Sequence, residues 1–215
     1  MHKRPKIIAA FSIPVFLCLC FLLNAMAQKK SGPGVIVDCD FSFTESVSGI
    51  NIPRAIKQNL ELIDVHYYSF DQKLHKGQLL IHTSLSAEIK DIFREIEADR
   101  FPIAKVIPIV KYGWSDSASM ADDNTSAFNY RLVKGTRVLS AHSGGRAIDI
   151  NPLENPQFTR RRASPAGARY DSKAPGTITP SSVVVSAFRK RGWKWGGNWR
   201  STKDYQHFEK PSGTK

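Results

Sequence analysis

Two short stretches of this sequence hold residue types that could together carry out metal-assisted hydrolysis. Residues 140–149, SAHSGGRAID, contain His142 and Asp149, and residues 204–209, DYQHFE, contain Asp204 and His207. Zinc hydrolysis needs three protein ligands, imidazole or carboxylate, a fourth position left for water, and a nearby carboxylate to move protons. Gly144 and Gly145 let the chain turn sharply after His142, so Asp149 can return beside it from a following strand. Asp204 and His207 would point to opposite faces of a straight strand. Both serve one site only if Asp204 lies on the turn leading into that strand. Taken singly, a Ser-x-His or a strand Asp has an ordinary structural explanation, and only the combination points to a metal site.

The elements that must position these residues are read from periodicity. Residues 147–151 (AIDIN) alternate, placing Ala147 and Asp149 on one face and Ile148 and Ile150 on the other, and 207–209 reads as a closing strand. Residues 51–64 carry Ile52, Ile56, Leu60 and Ile63 at three- and four-residue spacing behind Pro53, which predicts a helix. Residues 78–83 read as a strand after Gly77. Ser86 reads as the N-cap of a helix bearing Ile89, Ile92, Phe93 and Ile96. In 105–111 (KVIPIVK) Pro108 argues for an edge strand or a bulge. Residues 114–129, rich in Ser, Asp, Asn and Ala, read as a surface excursion near the site. Residues 158–179, with Arg160, Arg161, Arg162, Arg169 and Lys173, read as an irregular basic loop. Residues 180–191 predict a last helix with Val183, Val184, Ala187 and Phe188 inward and Gly192 at C′. Helices and short strands mix without regular βαβ alternation. The expected class is therefore α+β, with a small antiparallel sheet carrying the site and helices flanking it.

The N-terminus bears on where the chain works. Lys3, Arg4 and Lys6 precede an apolar run over residues 7–23, and Ala25-Met26-Ala27 offers the small residues of a cleavage site. Residues 1–27 therefore read as a signal peptide, 28–34 as a flexible leader and 35–215 as one domain, exported to the periplasm or beyond, with no stable membrane span after cleavage. An uncleaved anchor is the competing reading. Cys18 and Cys20 lie in the apolar run, so Cys39 is the lone thiol beyond it, excluding an internal disulfide and a zinc-thiolate cluster there. Lys plus Arg number 31 against 19 Asp plus Glu, a net charge of +12 that suits a polyanionic neighbour without naming one.

The ordered blocks Asn124 to Arg131 (NTSAFNYR), Ser140-x-His142-x-x-Gly145-x-Ala147-x-Asp149, Ala147 to Pro152 (AIDINP), Gly192 to Trp199 (GWKWGGNW) and Asp204-x-x-His207-Phe208 carry a resemblance. Together they resemble the zinc-dependent cell-wall peptidases: the VanY-like D-alanyl-D-alanine carboxypeptidases and the L-alanyl-D-glutamate endopeptidases, in the wider group of lysostaphin and the zinc module of sonic hedgehog. The resemblance covers roughly residues 77–209 and implies a hedgehog or DD-peptidase-like fold. It implies one zinc ion on His142, Asp149 and His207, with Asp204 as general base and acid. It also implies that Arg131 binds substrate or stabilises the developing oxyanion, with Ser140 orienting a ligand or substrate. Several carboxypeptidases of the group have Glu where this chain has Asp204, which leaves carboxypeptidase and endopeptidase both open.

The expected partner is the peptidoglycan stem peptide, with the basic loop around Arg160 to Arg162 available to an anionic cell-wall polymer. A non-catalytic zinc module binding cell-wall peptide or a protein is the alternative; loss of the proton-shuttling carboxylate would favour it, and Asp204 is present. An exported nucleic-acid or anionic-polymer binder rests on charge alone, and nucleic acid is not expected. His66, His75 and His82 have no carboxylate at comparable spacing and receive no role. Trp193, Trp195 and Trp199 read as core residues or as a wall of the cleft.

Overall fold

The computed structural model describes residues 34–160 and 162–212. The signal-like segment, the leader up to residue 33 and Arg161 lie outside the described residues. A short strand β1 (Val35–Val37) and two single-turn helices, α1 (Phe43–Ser46) and α2 (Arg54–Lys57), lead into a long antiparallel pair, β2 (Leu60–Tyr68) and β3 (Leu74–His82). The helix expected over 51–64 is thus one turn, with Pro53 at its N-cap, followed by a strand. Beyond Ile63 the pattern has period two: Ile63, Val65 and Tyr67 are buried while Asp64 and His66 are exposed. An unbroken register from Leu60↔His82 to Tyr68↔Leu74 then outweighs the helical spacing. Ile52, Ile56 and Leu60 do meet, around Phe128, but from different elements. β3 begins before Gly77, earlier than its apolar run suggests, and β1 pairs with its other edge in parallel.

Helix α3 (Ser86–Ala98) buries Ile89, Ile92, Phe93 and Ile96, as their spacing requires. Leu85, not Ser86, occupies its N-cap, and the Ser86 hydroxyl instead donates to Glu61 at 2.5 Å. Strand β4 (Lys105–Val106) stops early because Pro108 opens a 3-10 turn, Ile109–Tyr112. Helix α4 (Asp116–Ala121) starts at Ser115, whose hydroxyl accepts from the Ala118 N–H, and β5 (Asn124–Thr125) pairs in parallel with β4. The expected surface excursion is therefore wrong in its second half, since residues 123–129 are all buried. Their polar side chains satisfy buried backbone rather than water: the Asn124 amide accepts from Ile107 N and donates to Ile107 O, both at 2.9 Å.

Strand β6 (Ala147–Asp149) follows, and then the basic segment, which contains a hairpin of β7 (Gln157–Thr159) and β8 (Arg162–Ser164) where an irregular loop was expected. Helix α5 (Val183–Arg189) is capped by the Ser182 hydroxyl. Val184, Val185, Ala187 and Phe188 are its buried residues and half-buried Val183 packs against the same core, so Val185 joins the expected inward face. Gly192, at φ +78°, turns the chain one residue beyond C′ into β9 (Lys194–Trp195). The last strands are β10 (Lys203–Asp204), which joins β7, and β11 (His207–Glu209), which lies between β6 and β9 in an antiparallel three-stranded sheet. The fold is α+β, with small sheets and few helices. The main core joins α3 and α5 to β2, β3, β6 and β11 through Phe93, Phe188, Ile148 and Phe208.

Candidate metal centre

The sheet itself brings two of the expected residues together. Asp149 of β6 and His207 of β11 are direct register partners, with Phe208 opposite Ile148 on the next rung. Alternation sends Phe208 and Ile148, both fully buried, into the core and the carboxylate and imidazole to the other face. His142 arrives on a 3-10 turn, Ala141–Gly144, whose N-cap is Ser140; the Ser140 hydroxyl accepts from the His142 N–H at 3.3 Å. Gly145 ends that turn at φ +64°, and a Cβ there would meet the His82 backbone nitrogen at 2.6 Å. That approach is itself a hydrogen bond, His82 N to Gly145 O at 2.9 Å, which docks the turn on β3.

One ligand-capable atom from each of His142, Asp149 and His207 lies within 4.8 Å of the others, and all three residues are buried. The Asp149 carboxylate is 2.9 Å from His207 Nδ1 and 3.2 Å from His142 Nε2, and the two ring nitrogens are 3.3 Å apart. The outward nitrogens are engaged elsewhere: His142 Nδ1 with Ala127 O, and His207 Nε2 with Glu209 Oε2 at 3.5 Å. With protons on those outward nitrogens, two lone pairs and a carboxylate converge on one buried point, an arrangement that asks for a cation. Burial opposes charge on both partners, but the pairing overrides it. The two imidazoles hold Asp149 well below the usual carboxylate range, and Asp149 with Glu209 pushes His207 up to about 10.

Asp204 does not lie on the turn itself, as its spacing asked, but ends the strand that precedes it. It lies in β10, a different sheet from His207, with Tyr205 and Gln206 turning the chain between them. The Trp195 indole donates to Tyr205 O at 2.8 Å, and Tyr205 stacks on Tyr170 at 3.8 Å, so the turn is fixed from both sides. Gly196 lets this turn pack closely, since a Cβ there would stand 2.5 Å from Asp204 O. Gln157 donates to Asp204 Oδ2 at 2.7 Å, whereas Oδ1 is buried with no hydrogen-bond partner. Burial, then the negative Asp149, push the Asp204 carboxyl up to about 6.

Residues 134–210 match a family model described as D-alanyl-D-alanine carboxypeptidase. Over these residues the chain is similar to that family. The matched segment takes in Ser140, His142, Asp149, Asp204 and His207, and Arg131 lies just before it. No solved structure matches the chain.

Arg131 is placed by the backbone beside the His142 turn, its N–H donating to Ser143 Oγ at 2.9 Å and its carbonyl accepting from Ser140 N at 3.0 Å. Its guanidinium pairs with Asp116 at 3.0 Å, and its Nε is buried without a partner. Sequence reasoning missed Glu209, Gln157, Asp116 and the Ala127 carbonyl. Glu209 was legible, two residues after His207 on the same strand face, whereas Gln157 and Ala127 reach the site only through tertiary pairing. It also missed that His75 does have carboxylates: Asp38 at 2.9 Å, which ties β3 to the chain following β1, and Asp71 at 3.2 Å in the turn between β2 and β3. Trp193 and Trp195 are core residues, and half-buried Trp199 stands 5.3 Å from the His207 ring.

Proposed function

We propose that this protein is an exported zinc-dependent peptidase that hydrolyses peptide bonds in peptidoglycan stem peptides, on a fold of the hedgehog and DD-peptidase kind. The observation that carries the reading is the convergence of His142, Asp149 and His207, with a buried, half-satisfied Asp204 near enough to feel the charge of all three. Two neutral imidazoles and one carboxylate suit zinc, leaving the ion a formal charge of about +1. When bound, zinc supplies Lewis-acid polarisation to the scissile carbonyl and the attacking water.

The protein's own groups do the rest. Asp204 Oδ1, free because Gln157 occupies the other oxygen, accepts the proton of the attacking water and returns it to the departing amine nitrogen. A carboxyl raised to about 6 suits both halves of that task, ionised at neutral pH yet basic enough to hold the proton between steps. Arg131, its guanidinium anchored by Asp116, supplies the positive charge that would meet substrate or the charge growing on the carbonyl oxygen, a contribution of about 3 kcal/mol for one such donor. Ser140 acts through the turn that aims His142. Exposed Arg160 and Arg162 suit an anionic wall polymer.

Mass spectrometry of muropeptides incubated with the zinc-loaded protein tests the reading, with Asp204→Asn alongside. Loss of terminal D-Ala identifies a carboxypeptidase and a cut between L-Ala and D-Glu an endopeptidase. No cleavage by folded, zinc-occupied protein would make it a binding module instead.

A further inference from the structure

A groove of about 260 Å³ lies at the β9 edge of the sheet that carries Asp149 and His207, lined by Arg189, Trp193, Lys194, Trp195, Asn198 and Trp199. Trp199 forms its boundary with the candidate metal centre, its ring 5.3 Å from that of His207. The indoles of Trp193 and Trp195 are buried and spend their N–H groups on Glu88 and on Tyr205 O. They build the floor, and half-buried Trp199 offers the accessible face.

The cations are the informative part. Neighbouring Lys190, Arg191 and Lys210 are all held by Glu95 or Glu88. Arg189 and Lys194 are exposed and form no ion pair among the described residues; Lys194 faces Glu209 across the strands, but that carboxylate is turned to His207. Two unpaired cations flanking an aromatic face select a carboxylate carried on a short aliphatic chain, the anion on the guanidinium and the methylenes on the indole. The volume is just under the roughly 300–1,000 Å³ of ordinary ligand pockets, room for one residue rather than a polymer. Because Arg189, Lys194 and Asn198 are all exposed, the groove stays open at its outer side and a peptide chain can run on past it.

We infer that this groove is a recognition subsite for an internal free carboxylate of the stem peptide, the one left on its γ-linked glutamate, held close to the scissile bond by Arg189 and Lys194. The assignment rests on the peptidase reading and sharpens it by naming the part of the stem peptide that is held beside the site.

Binding separates the two ideas. Three stem pentapeptides are titrated, by tryptophan fluorescence, into zinc-loaded Asp204→Asn protein, which keeps bound peptide intact: one with both carboxylates free, one with the glutamate carboxylate amidated, one with the C-terminus amidated. Amidating the glutamate should weaken binding about tenfold, the worth of one charge-assisted contact, and amidating the C-terminus should not. Adding Arg189→Ala and Lys194→Ala should abolish the discrimination while zinc content and the unfolding transition stay unchanged. Equal affinity for the first two peptides, or discrimination that survives the double substitution, overturns the subsite. Sensitivity to the C-terminus alone would assign the anion to the chain end and overturn the internal carboxylate. Discrimination in binding without hydrolysis by the wild type would sink the peptidase reading and leave the subsite standing.

Discussion

At the scale of single residues, the division of labour around Asp204 is open to measurement. Replacing Asp204 with Asn keeps the amide of Gln157 satisfied but removes the proton acceptor, so zinc should stay bound while hydrolysis falls by about 10²–10⁴. Undiminished turnover would mean that another group is the base. With the Asp204 carboxyl near 6, kcat/KM should decline as pH falls, with a midpoint at or below that value because a bound cation draws it down. Glu209 has a different part. By holding His207 Nε2 it leaves Nδ1 to face Asp149, so Glu209→Gln should weaken zinc about 10- to 100-fold in a chelator competition, whatever happens to activity. Unaltered zinc affinity would reduce that contact to an incidental one.

At the scale of elements, the His142 turn is held by its docking on β3. Gly145→Ala would force a Cβ against His82 N in a left-handed backbone, at a cost of more than about 1 kcal/mol in urea denaturation, with loss of zinc as the turn moves. Stability and zinc binding both equal to wild type would show that the turn is not set by that contact. The same comparison explains what the sequence disclosed. β6, β11 and α3 were legible because each carries a clean period, and Asp149 and His207 came with the two strands. Residues 51–64 misled because Ile52, Ile56 and Leu60 satisfy a helical spacing while lying on separate elements. Residues 123–129 misled because Asn and Thr mark loops in general but here line a buried seam, a pairing that only distant Ile107 and Leu80 reveal. Asp204 could be stated only as a condition, since the break between β10 and β11 depends on Trp195, Tyr170 and Gly196.

At the scale of the whole molecule, a second carboxyl pair shapes the response of stability to pH. Burial first, then the nearby Asp123, push Glu154 from its usual 4.5 up to about 8. Between those values the folded chain keeps a proton that the unfolded chain has lost, so stability falls as pH rises through the window and levels off above it. Glu154→Gln should flatten that slope, gaining on the wild type at pH 8 relative to pH 5 in paired urea titrations; parallel curves would remove the pair from the account. The Asp149↔His207 rung has a consequence of another kind. It fastens the two ends of a long arm of chain, and closing such an arm costs only about 0.6 kcal/mol more for each doubling of its length. Insertions at its exposed tip around Gly167 can therefore lengthen or decorate the arm while the gap between carboxylate and imidazole stays the width of one ladder step. A slip of one strand by a single residue along that ladder would turn its group away from the face on which the other stays, so the pocket is inherited whole or lost whole, with no gradual series of looser versions between.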